Sequence, residues 1–249
     1  MPTALPPFYA HRFGRAYGPD SSLRALEHAR GEPLAGIETD CCLTADGAIA
    51  LLHEPYLPHG CTAEGWAHER SARELAGARL RDARGRPTPE RVLLLEELLD
   101  RVADSDLTVQ LEVKAWADAD LAVRTAEVVC RRALEHPRAR RERLEVISFW
   151  PQAAAVAAGH GLASRIIVAC AYTPGALARW AAAAGVSGVI LEGPYWAPEP
   201  VAAWRAAGLS VMSGVVNDPA LLRRVLPFGP DAVATDRPHE LRRELTEPA

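Results

Sequence analysis

Short apolar runs alternate with amphipathic or alanine-rich stretches along the chain, and this alternation predicts repeated strand–helix units. Such units are typical of a parallel sheet with helices packed outside it. The apolar runs predict strands over Phe8–Arg12, Gly36–Cys42, Leu107–Lys114, Leu144–Phe149, Arg165–Cys170, Gly188–Leu191, Leu209–Val216 and Ala232–Thr235. Eight strands in 249 residues are typical of a (β/α)8 barrel. We therefore expect an α/β fold, a single TIM-barrel domain spanning residues 1–249.

The stretches between the predicted strands have the periodicity of helices. They predict helices over Ser21–Arg30, Asp118–Leu134, Pro151–Gly161, Pro174–Ala184, Pro198–Ala207 and Pro219–Leu226. Four of them begin with proline, which the first helical turn accepts because the N–H group there has no helical partner. Asp20 or Ser21 is expected to cap the first helix.

The segment between the second and third predicted strands is longer than the others. Ala48–Leu52 predicts an extra strand ending at His53, Pro55–Pro89 is rich in glycine, proline and charge, and Val92–Val102 predicts an amphipathic helix. In a barrel, an excursion after a strand lies over the carboxyl-terminal face, where barrel enzymes have their active sites. We expect residues 54–105 to be a small insertion after strand 2, acting as a lid or lining the substrate.

Composition narrows the possible partners. The net charge is −4, and no run of lysine or arginine marks a nucleic-acid surface. The first residues lack a basic leader with an apolar core, and no stretch approaches about 18 apolar residues, so we expect a cytoplasmic protein without stable membrane association. Five cysteines, at positions 41, 42, 61, 130 and 170, have no CxxC spacing, so neither a disulfide framework nor a zinc site is indicated.

Carboxylates follow a strand-like spacing in two places. Glu38 and Asp40 are two residues apart, as are Glu112 and Lys114, so each pair faces one side of its strand. Three carboxylates facing inward would repel each other without a cation between them, and oxygen ligands suit Mg²⁺ or Ca²⁺. Lys114 is the only lysine of the chain, which indicates a need for a compact ammonium group.

Two histidines end neighbouring strands. His11 ends the first predicted strand and His53 ends the extra strand, so both can face one phosphate at the carboxyl-terminal end of the barrel. One can take a proton from an attacking hydroxyl while the other donates a proton to the leaving oxygen. With a metal nearby and positive charge from Arg12 and Lys114, the pattern indicates phosphoryl transfer.

At these residues the sequence resembles the glycerophosphodiester phosphodiesterase family of metal-dependent TIM-barrel hydrolases. The matching segments, in order, are Ala10-His11-Arg12 with Pro19, Gly36-Ile37-Glu38-Thr39-Asp40, Leu43-Thr44-Ala45-Asp46-Gly47, Leu52-His53-Glu54-Pro55-Tyr56-Leu57, Leu111-Glu112-Val113-Lys114, Ser148-Phe149, Val216-Asn217-Asp218-Pro219 and Thr235-Asp236-Arg237-Pro238. The ordered set spans most of the chain and is far more specific than any one of its segments.

The resemblance implies a role for each matching group. It implies that His11 and His53 are the acid–base pair and that Arg12 and Lys114 contact the phosphate. It also implies that Mg²⁺ or Ca²⁺ is held by three carboxylates, which are those of Glu38, Asp40 and Glu112. The implied reaction converts a glycerophosphodiester to glycerol 3-phosphate and an alcohol.

The chain departs from the family pattern around the substrate. Phe13 replaces a usual glycine, Asp20-Ser21-Ser22 replaces Glu-Asn-Thr, Glu54 replaces aspartate, and Gly214 replaces a tryptophan three residues before Asn217. We expect Gly214 to widen one wall of the pocket and Phe13 to fill another place in it. The other side chains expected at the catalytic rim are Phe149, Trp150, Glu192, Tyr195 and Trp196.

Three further functions share these features. A phospholipase D-like barrel of the sphingomyelinase D type would act on a lysophospholipid or release a cyclic phosphate. A diverged relative would act on a specialised metabolite that carries a phosphodiester or phosphomonoester. A non-catalytic protein would keep the metal and bind without turnover. The sequence leaves open the leaving alcohol, the choice between Mg²⁺ and Ca²⁺, and the oligomeric state.

Overall fold

The computed structural model describes residues 5–116, 118–169 and 173–246. Within these ranges the strands are β1 (Phe8–Ala10), β2 (Gly36–Leu43), β3 (Ile49–Leu51), β4 (Arg79–Arg81), β5 (Pro87–Arg91), β6 (Thr108–Val113), β7 (Leu144–Ser148), β8 (Ala163–Val168), β9 (Gly188–Leu191), β10 (Ser210–Val215) and β11 (Val233–Thr235). The α-helices in the same ranges are α1 (Leu23–Arg30), α2 (Leu57–Gly60), α3 (Ala72–Gly77), α4 (Leu95–Val102), α5 (Ala119–Glu135), α6 (Pro151–Gly159), α7 (Pro174–Ala184), α8 (Pro198–Ala206), α9 (Pro219–Val225) and α10 (Pro238–Thr246).

The sheet closes on itself. Strands pair in parallel in the order β1, β2, β6, β7, β8, β9, β10 and β11, and β11 pairs in turn with β1. Helices connect the successive barrel strands. The predicted (β/α)8 TIM barrel with a small insertion after strand 2 is therefore confirmed.

Side chains fill the interior of the barrel. Inward-facing apolar side chains from alternate positions form one cluster across the barrel, among them Ile147, Ile167, Ile190, Met212 and Ala234. Nearer the amino-terminal end, three polar side chains close the interior, because Glu145 accepts hydrogen bonds from both Gln110 and Arg165. These hydrogen-bonded side chains fill the interior towards the amino-terminal end.

A second hydrophobic layer lies between the barrel strands and the helices. Outward-facing Val109 and Leu111 of β6 pack in the same buried cluster as Leu26 of α1 and Val129 of α5. Each such side chain stabilises the fold by about 1.5–3 kcal/mol when fully buried. This layer fixes the positions of the strand ends that carry the polar residues described below.

The insertion after β2 has a hydrophobic cluster of its own. The chain reverses at the end of β2, and β3 returns antiparallel beside it, with Leu51 opposite Cys41. Buried side chains of the segment then pack together as an insertion core, which comprises Cys42, Ala50, Leu52, Leu57, Cys61, Ala67, Leu75, Ala78, Leu80 and Val92. Its β4–β5 hairpin borders a surface cavity that also contacts Arg12 and His53, so the insertion lies beside the carboxyl-terminal end of the barrel.

Several predicted boundaries were wrong by a few residues. The first strand ends at Ala10, because the backbone turns through Arg12 and Phe13 with φ angles of 49° and 64°. The fifth ends at Val168, and Cys170, predicted to end it, lies outside the described residues. The α10 helix was not predicted.

The predicted cap of α1 was also wrong. The capping residue is Ser22, whose side chain accepts a hydrogen bond from the Ala25 amide. Ser21 has a left-handed backbone with φ of 53° and shares a hydrogen bond with Thr39 instead. An N-cap residue needs an extended backbone, so Ser21 cannot take this role.

Within the described ranges, the helices include none that combines the length and the apolar character needed to cross a membrane.

Candidate active site

The three predicted metal-ligating carboxylates converge at the carboxyl-terminal end of β2 and β6. Glu38 and Asp40 lie on β2 and Glu112 lies on β6, where the register places it beside Asp40. Their alternating positions all face the barrel interior. One carboxylate oxygen from each residue lies within 4.8 Å of the others. The spacing seen in the sequence therefore forms one cluster in three dimensions.

This cluster is buried and short of hydrogen-bond donors. Glu38, Asp40 and Glu112 are 3%, 0% and 5% exposed. Within the described residues, Oε1 of Glu38 and both carboxylate oxygens of Asp40 accept no hydrogen bond. Burial, together with the charge of Asp40, raises the pKa of Glu38 to about 8, and burial also raises the pKa of Glu112. Buried carboxylate oxygens that accept no hydrogen bond are suitable ligands for a hard divalent cation.

Two cations border the carboxylates. Lys114 Nζ lies 3.0 Å from Asp40 Oδ1 and 2.5 Å from Glu112 Oε1. Arg12 lies 3.5 Å from Asp40 Oδ2 and donates a hydrogen bond of 2.6 Å to Asp20, the residue that replaces glutamate in the family pattern. Burial alone would raise the pKa of Asp40, but Lys114 and Arg12 outweigh it and lower this pKa to about 2. Asp40 is therefore ionised at neutral pH.

His11 lies in the tight turn after β1. Its Nδ1 is 2.6 Å from Asp236 Oδ1, and because an ionised carboxylate only accepts hydrogen bonds, His11 donates from Nδ1. Its Nε2 lies 3.8 Å from Glu38 Oε2. Burial opposes protonation of this ring, but the hydrogen bond to Asp236 and the charge of Glu38 outweigh burial and raise the pKa of His11.

Asp236 is a site residue for which no role was predicted, although it lies in the matching segment Thr235-Asp236-Arg237-Pro238. It follows β11, and its second oxygen accepts a hydrogen bond of 2.6 Å from the Asn217 side chain. Arg15 lies 3.9 Å from the same carboxylate. Asp236 has the inward parity of Ala234, and this alternation is the signal in the sequence that points to it.

His53 follows β3 and reaches the site from the insertion. It donates a hydrogen bond of 2.7 Å from Nδ1 to Oε1 of Glu54, which replaces aspartate in the family pattern. Both side chains are about a quarter exposed. Burial lowers the pKa of His53 below its ordinary value. His11 and His53 follow different strands, but each therefore has a carboxylate partner at Nδ1.

A cavity of about 270 Å³ joins these groups at the mouth of the barrel. Its lining includes both histidines and also Phe149, Glu192 and Gly214, three of the residues predicted to bind substrate. An open groove of about 550 Å³ adjoins it and contains three aromatic side chains, which are those of Trp116, Phe149 and Trp150. A larger groove of about 740 Å³, on the outer face of α5, is lined by none of the predicted site residues.

Two predicted pocket residues lie elsewhere. Phe13 has no exposed surface and packs in the same buried cluster as Leu26, because the left-handed turn directs its side chain into the core. Trp196 packs against the cluster between the sheet and α7 and α8, with its ring 5.6 Å from that of Phe228. Tyr195 packs against that cluster too. The structure therefore places Phe13 and Trp196 outside the lining of the cavity at the mouth of the barrel.

Comparison with known proteins identifies the family of this chain. A model of the glycerophosphoryl diester phosphodiesterase family matches residues 11–240. A curated relative from Mycobacterium tuberculosis, named probable glycerophosphodiester phosphodiesterase 2, is 27% identical over 236 residues, which cover 90% of this chain and 84% of the relative.

Solved structures of low identity share the fold. A putative glycerophosphoryl diester phosphodiesterase from Silicibacter pomeroyi has a TM-score of 0.84 at 22% identity, covering 98% of this chain and 94% of its own. A phosphodiesterase from Oleispira antarctica, in complex with the product sn-glycerol-3-phosphate, has a TM-score of 0.83 at 22% identity, covering 98% of each chain. The family match confirms the resemblance drawn from the sequence. It also confirms that the protein is a phosphoric diester hydrolase. The chain belongs to the glycerophosphoryl diester phosphodiesterase family.

Proposed function

We propose that this protein hydrolyses a small-molecule glycerophosphodiester to glycerol 3-phosphate and an alcohol, with the help of a divalent cation. The observation that carries the proposal is that one cavity contains both His11 and His53 together with Glu38 and Glu112. The product bound to the Oleispira antarctica phosphodiesterase supports the same substrate class.

Three carboxylates would hold the cation, which we propose to be Mg²⁺ or Ca²⁺. Oε1 of Glu38 and both carboxylate oxygens of Asp40 are buried and accept no hydrogen bond, and an oxygen of Glu112 lies within 4.8 Å of the other two carboxylates. Such oxygens suit a hard divalent cation. When bound, the cation polarises a phosphoryl oxygen and offsets the negative charge that grows in the transition state. Arg12 and Lys114 would add positive charge beside the same phosphate.

The two histidines would move the protons. Because Nδ1 of each ring donates to a carboxylate, Nε2 is the atom left to exchange a proton with substrate. The pKa of His11 is raised and that of His53 is lowered, which favours His53 as the base and His11 as the acid. His53 would take a proton from the attacking water as the new P–O bond forms. His11 would protonate the alcohol oxygen as its P–O bond breaks.

Phosphorus NMR tests the proposal. Purified protein is incubated with glycerophosphodiesters, lysophospholipids and simple phosphodiesters, with Mg²⁺ or Ca²⁺ and again with EDTA. We expect glycerol 3-phosphate to form only with metal, and His11→Ala or His53→Ala to lower turnover by about 100-fold or more. Turnover that persists in EDTA, or in either variant, contradicts the proposal. Binding without turnover would indicate a non-catalytic protein, and a cyclic product would indicate phospholipase D-like chemistry.

The aromatic groove favours a second candidate substrate. Trp116 and Phe149 are 58% and 43% exposed in the groove that adjoins the catalytic cavity. Exposed aromatic surface beside an active site suits an apolar chain. We therefore also propose lysophospholipids, whose acyl chain would lie in this groove while the same phosphodiester bond is cleaved. The lysophospholipids in the NMR panel test this alternative directly.

A further inference from the structure

One wall of the catalytic cavity is built by β9 and β10. The register of these parallel strands pairs Gly188 with Ser210 and Ile190 with Met212 at inward-facing positions. The next inward pair, just beyond β9, is Glu192 and Gly214. Of this pair, Gly214 is the residue that replaces the tryptophan of the family pattern.

Glu192 occupies the space that a side chain at position 214 would need. A Cβ atom built on Gly214 would stand 2.4 Å from Oε1 and 2.9 Å from Cδ of Glu192. Atoms that are not bonded to each other do not approach so closely, so the carboxylate lies directly over the glycine. The absence of a side chain at Gly214 is therefore what admits a negative charge to this wall, in place of an aromatic surface.

The Glu192 carboxylate has no hydrogen-bond or ion-pair partner among the described residues. It lines the cavity, its pKa is raised by burial, and the charges of His11 and Lys114 act on it in the opposite direction. A ligand that fills the cavity removes the water around this carboxylate. Such a charge is costly to desolvate unless the ligand brings a donor, and a positively charged donor compensates best.

We propose that Glu192 selects phosphodiesters whose alcohol carries an ammonium group, which pairs with the carboxylate that lies over Gly214. The inference rests on the proposed function. A negative wall repels the phosphate of a diester with a neutral alcohol, whereas an ammonium-bearing diester has no net charge and pairs with Glu192. The glycerol side, with or without an acyl chain, would then extend along the aromatic groove.

The test compares glycerophosphoethanolamine with glycerophosphopropanol, in which a methyl group replaces the ammonium at nearly the same size. We expect wild-type kcat/KM to be at least about tenfold higher for the charged diester, since charged hydrogen bonds discriminate by this much. Glu192→Gln should bring the two values together, because it removes the partner of the ammonium group and also the repulsion of the neutral diester. Glu199→Gln is the control, because Glu199 is an exposed glutamate on α8.

A second variant tests the role of the glycine. Gly214→Ala should displace the carboxylate and reduce the ratio of the two kcat/KM values. The inference is overturned by equal wild-type values for the two diesters. It is also overturned if Glu192→Gln lowers kcat/KM equally for both diesters, which would mean that the carboxylate binds the glycerol that they share. Absence of turnover of either diester by the wild-type protein with metal would instead contradict the proposed function.

Discussion

Replacing Asp236 by asparagine tests whether this carboxylate prepares His11 for catalysis. The change keeps the size of the side chain but removes the negative charge 2.6 Å from His11 Nδ1. The Asn217 side chain donates to the other oxygen of Asp236, and an amide at position 236 can accept from only one of these two donors. Asp236→Asn therefore perturbs the charge and tautomer of His11 more than the packing around it.

The size of the effect follows from burial and hydrogen bonding. The side chains of His11 and Asp236 are 13% and 17% exposed, so water screens their interaction only weakly. A hydrogen bond to a charged group contributes about 1.5–3 kcal/mol, and each 1.4 kcal/mol of the barrier is about tenfold in rate. We therefore expect kcat to fall by about 10- to 100-fold in Asp236→Asn.

The assay is the pH dependence of kcat on a glycerophosphodiester with saturating metal. Because Asp236 raises the pKa of His11, its loss should also move the limb due to His11 to lower pH. Asp104→Asn is the control, since Asp104 is 87% exposed and pairs with Arg138 at the surface. A variant with the melting temperature, kcat and pH profile of the wild type would refute the role of Asp236.

Three further outcomes are expected. Glu112→Gln should weaken Mg²⁺ or Ca²⁺ binding by at least about tenfold in isothermal titration calorimetry, and an unchanged affinity would exclude Glu112 as a ligand. Metal affinity should rise as the pH approaches 8, because the pKa of Glu38 is raised to about 8 and its proton must leave before the cation binds; a flat profile from pH 6 to about 8 would contradict this. Phe13→Ala should reduce the free energy of unfolding in urea by about 3–5 kcal/mol. Phe149→Ala, at a side chain 43% exposed, should instead raise KM with little change in stability. Equal stabilities of these two variants would contradict the buried position of Phe13 and the exposed position of Phe149.

The sequence predicted the barrel and the carboxylates well for a common reason. Both depend on alternation along strands, which a reader of the sequence can see directly. Glu38, Asp40 and Glu112 share inward parity, and parallel strands bring their ends together. His53 was placed correctly because the extra strand β3 was recognised before it.

Other positions depend on backbone angles and long-range contacts that no pattern reports. Phe13 was expected in the pocket, but a left-handed turn directs it into the core. Trp196 follows a strand, yet packs outward against Phe228. The pairing of Asp236 with His11 joins residues 225 positions apart, and the contact of Glu192 with Gly214 depends on one side-chain conformation.

The separate insertion core has a consequence for the dynamics of the site. His53 leaves β3 within a segment whose apolar side chains, including Leu57, Leu75 and Leu80, pack with one another apart from the barrel clusters. Small clusters of this kind open locally at a lower free-energy cost than the whole domain. Each opening would withdraw one histidine while the carboxylates on β2 and β6 stay in place. With the proposed role of His53, the fraction of molecules able to turn over substrate would follow the local unfolding equilibrium of the insertion. Amide hydrogen exchange over residues 57–92 measures this equilibrium.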